Sequence, residues 1–297
     1  DEKSKNFPFE NRQILVSALE KQYENFEISD ITSQNIQLLK LSNTYTITTG
    51  HQLNLFTGPL YFLYKITSTI NLCKELRQKY PTQNFVPIYW MATEDHDFDE
   101  INYFNFKDQK FRWNRESKGP VGRLSTEGLD LVYEAFSKEI GLGNNAKYLL
   151  DLFKKSYLEH QNLADATRFL ANELFKNEGL VIIDGDAKEL KKLFVPYAKN
   201  ELIQQTSFKK VNETLPLLEK YTIQVNPREI NLFYIQNELR ERIIFENGNY
   251  VINNTKLKFT EKELLIELEN NPENFSPNVI LRPLYQEIIL PNLCYIG

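Results

Sequence analysis

Between Thr44 and Glu100 the chain alternates in a way that leaves few folds open to it. Tyr45–Thr48 is a short β-branched and aromatic run. After Gly58-Pro59, the residues Leu63, Ile66, Ile70, Cys73 and Leu76 recur at three- and four-residue spacing, and Phe85–Ala92 is continuously apolar. The spacing predicts an amphipathic helix that runs to Pro81, opened by a proline whose missing N–H would be unpaired anyway, with Cys73 in its buried stripe. An apolar run of that length predicts a strand covered on both faces. Strand, helix and strand make a βαβ unit, almost always right-handed and parallel, so both strands deliver their C-terminal ends to one sheet edge. In open α/β sheets that edge is where ligands bind.

The rest of the chain adds to this frame. Asn11–Phe26 sets Ile14, Leu15, Ala18 and Leu19 on one helical face, suited to cover a sheet. Leu163–Phe175 reads as another amphipathic helix, and Leu180–Ile183 as a third strand ending in Asp184-Gly185-Asp186. Val279–Leu281 is expected to be a fourth, ending in Arg282-Pro283. Two excursions interrupt the pattern. Tyr103–Ser125 carries aromatic segments and a Gly119-Pro120 turn before helices. Lys188–Tyr221 is charged and helical, and Thr222–Leu257 has the Asn-Gly punctuation of a small antiparallel sheet. The expected division is core 1–102, first insertion 103–160, core 161–187, second insertion 188–275 and a return to the core over 276–297.

With a formal net charge of −5 from interspersed acids and bases, the sequence offers no cationic footprint for nucleic acid. Cys73 and Cys294 lie far apart without a CxxC or Cys/His ligand spacing, which suits a reducing cytoplasm. No apolar stretch has membrane-spanning length and no signal-peptide pattern is present, so no membrane partner is expected. The chain opens at Asp1 without methionine and stops at Gly297 just after an apolar run, so both ends read as cut.

Four predicted strand ends bring His51/Gln52, Glu94–Glu100, Asp184/Asp186 and Arg282 to one rim. In Glu94-Asp95-His96-Asp97-Phe98-Asp99-Glu100, five carboxylates surround one histidine within seven positions. A solvated acidic loop has that composition, and a metal site on His96 with Asp97 or Asp99 is a less favoured reading, because three ligands of defined geometry are needed. The favoured role is proton transfer by His96, whose ordinary pKa is about 6.5, with Asp95 or Asp97 fixing its tautomer. Gly50-His51-Gln52 and Thr57-Gly58-Pro59 let backbone pass close to a ligand before a helix N-terminus. This is neither of the usual glycine-rich phosphate motifs. Lys65, two turns into the helix, is expected to face solvent, and His160 receives no role. Arg282, with Gln286 one turn on, suits recognition of a substrate carboxylate.

TGHQLNLFTGPLYFLYK, PIYWMATEDHDFDEI, GLVIIDGDAKELKKLFVP and ILRPLYQEIILPNLCYIG, in that order, resemble the BshC family, the cysteine-adding enzymes of bacillithiol biosynthesis. The resemblance implies a Rossmann-like core interrupted by two connecting-peptide insertions. It also implies a cytoplasmic carbon–nitrogen ligase that joins cysteine to the amino group of glucosaminyl-malate, in a full-length homodimer held by a C-terminal coiled coil absent from this sequence. ATP is the natural source of activation for such an amide, although no usual nucleotide fingerprint is present. The family commonly has glutamine where His51 stands, and a small apolar residue where Cys294 stands. The expected site is His96, Asp95 and Asp97 for proton transfer, with Gly50, His51, Gln52, Thr57, Gly58, Pro59, Glu94, Arg282 and Gln286 binding substrate and no metal. A non-catalytic binding fragment and a metal-dependent hydrolase on the EDHD cluster are the alternatives.

Overall fold

The computed structural model describes residues 2–297, which divide into two compact units, 2–185 with 291–297 and 186–290. In chain order the first unit contains α1 (Glu2–Asn6), α2 (Phe9–Gln22), α3 (Asp30–Leu38), β1 (Thr44–His51), α4 (Tyr61–Lys79), β2 (Asn84–Met91) and α5 (Phe98–Ile101). The hairpin β3 (Tyr103–Phe106) and β4 (Gln109–Arg112) follows, then α6 (Leu129–Glu139), α7 (Asn144–Tyr157), α8 (Leu163–Phe175) and β5 (Val181–Asp184). The second unit holds α9 (Lys188–Gln204), α10 (Thr206–Thr214), β6 (Leu232–Gln236), β7 (Leu239–Glu246), β8 (Asn249–Ile252), β9 (Lys258–Phe259), α11 (Glu261–Asn270), β10 (Phe275–Pro277) and α12 (Arg282–Ile289). The chain then rejoins the first unit as β11 (Asn292–Ile296).

β1, β2, β5 and β11 form one parallel sheet in the order β11-β1-β2-β5. β1 and β2 are buried along nearly their whole length, as continuous apolar strands must be. The stripe of α4 packs on them: Cys73 lies in a core cluster with Tyr45, Ile47 and Phe85, and burial pushes its thiol up to about 12. Cys73 is therefore a packing residue, as its position in the stripe predicts.

The fourth strand differs from expectation. Val279–Leu281 forms a turn in the second unit, so Arg282 opens α12 and does not sit at a strand end. The physical reason is Asn278, whose Oδ1 accepts the N–H groups of Ile280 and Leu281 and whose carbonyl accepts that of Arg282, folding the apolar triplet into a helix start. The strand that pairs with β1 is Asn292–Ile296 instead.

β5 is an edge of the sheet, and its outward backbone groups are taken by side chains. Ile182 N–H donates to Tyr23 Oη at 2.7 Å, and Ile182 O accepts from Arg168 Nη1 at 2.6 Å. Asp184 N–H and O pair with the Gln22 carboxamide, each at 2.9 Å. An edge sealed in this way presents no free ladder to another strand there.

In the second unit, β10-β6-β7-β8-β9 is an antiparallel sheet. Asn247 and Gly248, at φ 51° and 76°, make the β7–β8 turn that the Asn-Gly-Asn sequence predicts. Among the described residues no helix is long and apolar enough to cross a membrane.

Candidate active site

Progressing from β1 through β2 to β5, the parallel sheet grows in one direction, and β11 then adds on the other side of β1. The order therefore reverses between β11 and β1, the position at whose C-terminal end an open α/β sheet binds its ligand. His51 is in register with Met91, and Met91 with Asp184, so the loops leaving β1, β2 and β5 start side by side. At Gly50 a Cβ would lie 2.6 Å from Tyr295 Oη of β11, so the strand end and the tip of that side chain approach closely.

His51 is almost fully buried, with its ring 4.8 Å from that of Tyr61 and 5.1 Å from that of Phe62. Its Nδ1 lies 2.9 Å from Gln52 O, which can only accept, so Nδ1 carries the proton and Nε2 is a bare lone pair with no protein donor. Burial lowers its pKa; the Gln52 carbonyl opposes this and nearby Lys65 adds to it. Lys65 does not project into solvent as expected: its Nζ donates to Gly50 O at 2.6 Å, fixing the strand end.

The loop after His51 is tightly built. Leu53 and Leu55 are buried, and Phe56, Thr57 and Gly58 all have positive φ, 47°, 72° and 56°. Phe56 N–H donates to the buried Tyr157 hydroxyl at 2.8 Å, and its ring packs with Phe104, Phe136 and Phe153 from β3, α6 and α7. The aromatic excursion after Tyr103 thus braces the loop, and its aromatics are sequence signals for that role. Beneath lies a cavity of about 310 Å³ lined by Gln52, Asn54, Tyr61, Glu100, Tyr103 and Asn105, with Gly58-Pro59 on one wall.

The loop after β2 is fixed from behind. Val121 N–H donates to Asp95 O at 2.7 Å and Gly122 N–H to Thr93 O at 2.8 Å. A Cβ on Gly122 would sit 2.5 Å from Thr93 Cβ. The buried Thr93 hydroxyl donates to Asp184 Oδ1, tying β2 to β5. His96 is half exposed, its Nδ1 3.5 Å from Asp95 Oδ1 and 3.7 Å from Asp97 Oδ1, with Asp95 Oδ1 also accepting the His96 N–H. One donor atom from each of Asp95, His96 and Asp97 falls within 4.8 Å of the others. The two loops meet through Gln52, whose Nε2 donates to Asp95 Oδ2 at 3.0 Å and to Glu100 Oε2 at 2.8 Å.

The structure thus brings Gly50, His51, Gln52, Gly58, Pro59, Asp95, His96 and Asp97 to one edge, with Glu94 half-buried in the same loop and Thr57 in the turn. Arg282 and Gln286 belong to the second unit, where Arg282 Nη1 donates to Gln286 Oε1 at 3.3 Å, and Asp186 is also in that unit. Sequence reading missed Asn54, Tyr103 and Tyr157, which carry no motif and become legible only when the hairpin folds over the loop.

The family profile described as "Bacillithiol biosynthesis BshC, N-terminal Rossmann-like domain" matches residues 1–297. The chain belongs to the BshC family. It is 69% identical over 296 residues to the "Putative cysteine ligase BshC" of Flavobacterium johnsoniae, covering 100% of this chain and 56% of that protein. It is 32% identical over 302 residues to the Bacillus anthracis protein of the same name, covering 96% of this chain and 55% of the relative. The chain spans about half the length of these BshC relatives.

Proposed function

We propose that the protein of which this chain is part joins cysteine to the amino group of glucosaminyl-malate, the ligation implied by its family, and that the β1 and β2 loops hold the reacting groups. The observation that carries the reading is Gln52, which bridges Asp95 and Glu100 and so assembles the sequence-distant loops after β1 and β2 into one polar surface at the C-terminal edge of the parallel sheet.

In this mechanism the sugar amine attacks the carbonyl carbon of an activated cysteine. A carbon–nitrogen bond forms, the bond to the activating group breaks, and the amine proton passes to His96, whose ring is oriented by Asp95 and Asp97. Holding both reactants at one edge replaces a bimolecular encounter by an effectively unimolecular one. ATP is the proposed activator. The cavity itself does not suit a phosphate chain, because the one charged side chain lining it is Glu100.

Full-length protein incubated with glucosaminyl-malate, cysteine and ATP should yield bacillithiol by mass spectrometry, with AMP marking an adenylate route and ADP an acyl phosphate. A folded His96→Ala variant should lose ligation. Undiminished turnover by that variant removes His96 from the mechanism, and no product from the wild type overturns the ligase reading. The close approach of Asp95, His96 and Asp97 donors supports the metal-hydrolase reading as the second one, which a stoichiometric divalent ion in elemental analysis would favour.

A further inference from the structure

The cavity beside Gln52 is unusual in its hydrogen-bonding polarity. Its lining residues include one charge, the carboxylate of Glu100, and three carboxamides, Gln52, Asn54 and Asn105. Two of these have their donors already committed. Gln52 Nε2 is held by Asp95 and Glu100, and Asn54 Nδ2 donates to Glu100 O at 3.2 Å. Because that carbonyl can only accept, the Asn54 amide has a fixed orientation. Its Oδ1 is buried in a side chain only 8% exposed, without a protein donor. Gly58 locks this arrangement, since a Cβ there would overlap Asn54 Cβ at 2.5 Å.

Two lysines contact residues at or beside this lining without being part of it. Lys65 Nζ sits on Gly50 O, and Lys110 Nζ lies 3.8 Å from the centre of the Tyr103 ring. What remains is a polar lining whose one charge is negative, with aromatic walls from Tyr61, Tyr103 and Phe104. Aromatic faces suit the C–H faces of a sugar ring, amide oxygens suit its hydroxyls, and a carboxylate suits an ammonium. At about 310 Å³ the cavity is at the lower end of the range for small-molecule sites, roughly 300–1,000 Å³.

We propose that this cavity is the amino-sugar subsite: it takes a hexosamine ring against Tyr61 and Tyr103, with Glu100 accepting from the amino group. The assignment rests on the ligase reading for its biological substrate, but it concerns binding and can be tested without turnover. A cavity whose one charge is a carboxylate disfavours the anionic malate end and the nucleotide, which this assignment puts outside it.

The test is calorimetric titration of the full-length protein with methyl glucosaminide, methyl N-acetylglucosaminide, methyl glucoside and cysteine. Methyl glucosaminide should bind about tenfold or more tightly than the N-acetylated and amine-free sugars, as expected when a charge-assisted hydrogen bond is lost. Glu100→Gln, at an exposed side chain, should erase that preference. Equal binding of the three sugars, an amine preference that survives Glu100→Gln, or competition of cysteine with methyl glucosaminide for one site would each overturn the assignment. Amino-sugar binding without ligation would sink the proposed reaction and keep the subsite. Ligation without a Glu100-dependent amine preference would do the reverse.

Discussion

Replacing Gly58 by alanine tests whether the loop geometry is set by the backbone. Gly58 has φ 56° and ψ −126°, a region essentially reserved for glycine, where an L-residue costs about 1–3 kcal/mol. The new methyl would also lie 2.5 Å from Asn54 Cβ and 3.0 Å from Asn54 Cγ. Asn54 is buried and tied to Glu100 O, so it cannot swing aside freely, and overpacking of this kind adds about 1–3 kcal/mol. The sum is about 2–6 kcal/mol, felt first as local opening of the loop. Gly141 supplies the control: it has φ 91° and no atom within 4 Å of a built Cβ, so Gly141→Ala isolates backbone strain from the collision. Native-state hydrogen exchange at Phe56, whose N–H is held by Tyr157, reads the opening directly. With tenfold per 1.4 kcal/mol, protection at Phe56 should fall at least about 30-fold in Gly58→Ala. It should fall less in Gly141→Ala, which carries backbone strain without the collision. Protection within threefold of wild type in Gly58→Ala would show that the loop adapts and that the collision with Asn54 is not a constraint.

Two further outcomes follow from groups the fold has buried. His51 has a pKa below its ordinary value of about 6.5, so between that value and its folded pKa the unfolded chain binds more protons than the folded one. Its contribution to stability is complete above about 6.5 and is lost as pH falls through that window. A His51→Gln variant should therefore show a flatter fall of the urea midpoint on acidification below about pH 6.5, and an identical slope would refute the assignment. Gln22→Ala should strip the edge of β5 of both hydrogen bonds to Asp184 and of the Arg168 contact. At about 1–3 kcal/mol per buried group left without its partner, the urea midpoint should drop clearly, whereas a loss under about 0.5 kcal/mol would mean that water replaces Gln22 readily.

Much of the parallel core is legible in the sequence because its signals are local. The stripe from Leu63 to Leu76 and the run from Phe85 to Ala92 each report burial through their own spacing, and the structure places them as α4 and β2. Val279–Leu281 misleads for an equally physical reason: an apolar triplet states only that it is buried or partly so, and Asn278, a residue whose side chain captures following N–H groups, decides that it turns. Asn292–Ile296 is harder to recognise as the core strand, since Leu293 and Tyr295 are half exposed at the sheet edge and its pattern alternates. The site divides along the same line. Residues attached to strand ends, such as Gly50, His51 and Asp95, follow from topology, because parallel strands share one C-terminal edge. The polarity of the cavity does not follow from any motif. It depends on which atom of Asn54 faces Glu100 O and on where Lys65 spends its charge, and both are settled by contacts between residues 15 to 46 positions apart. Charge content alone would place Lys65 with the surface lysines. Its Nζ is held by the Gly50 carbonyl, and Glu100 is the one charged side chain in the cavity lining.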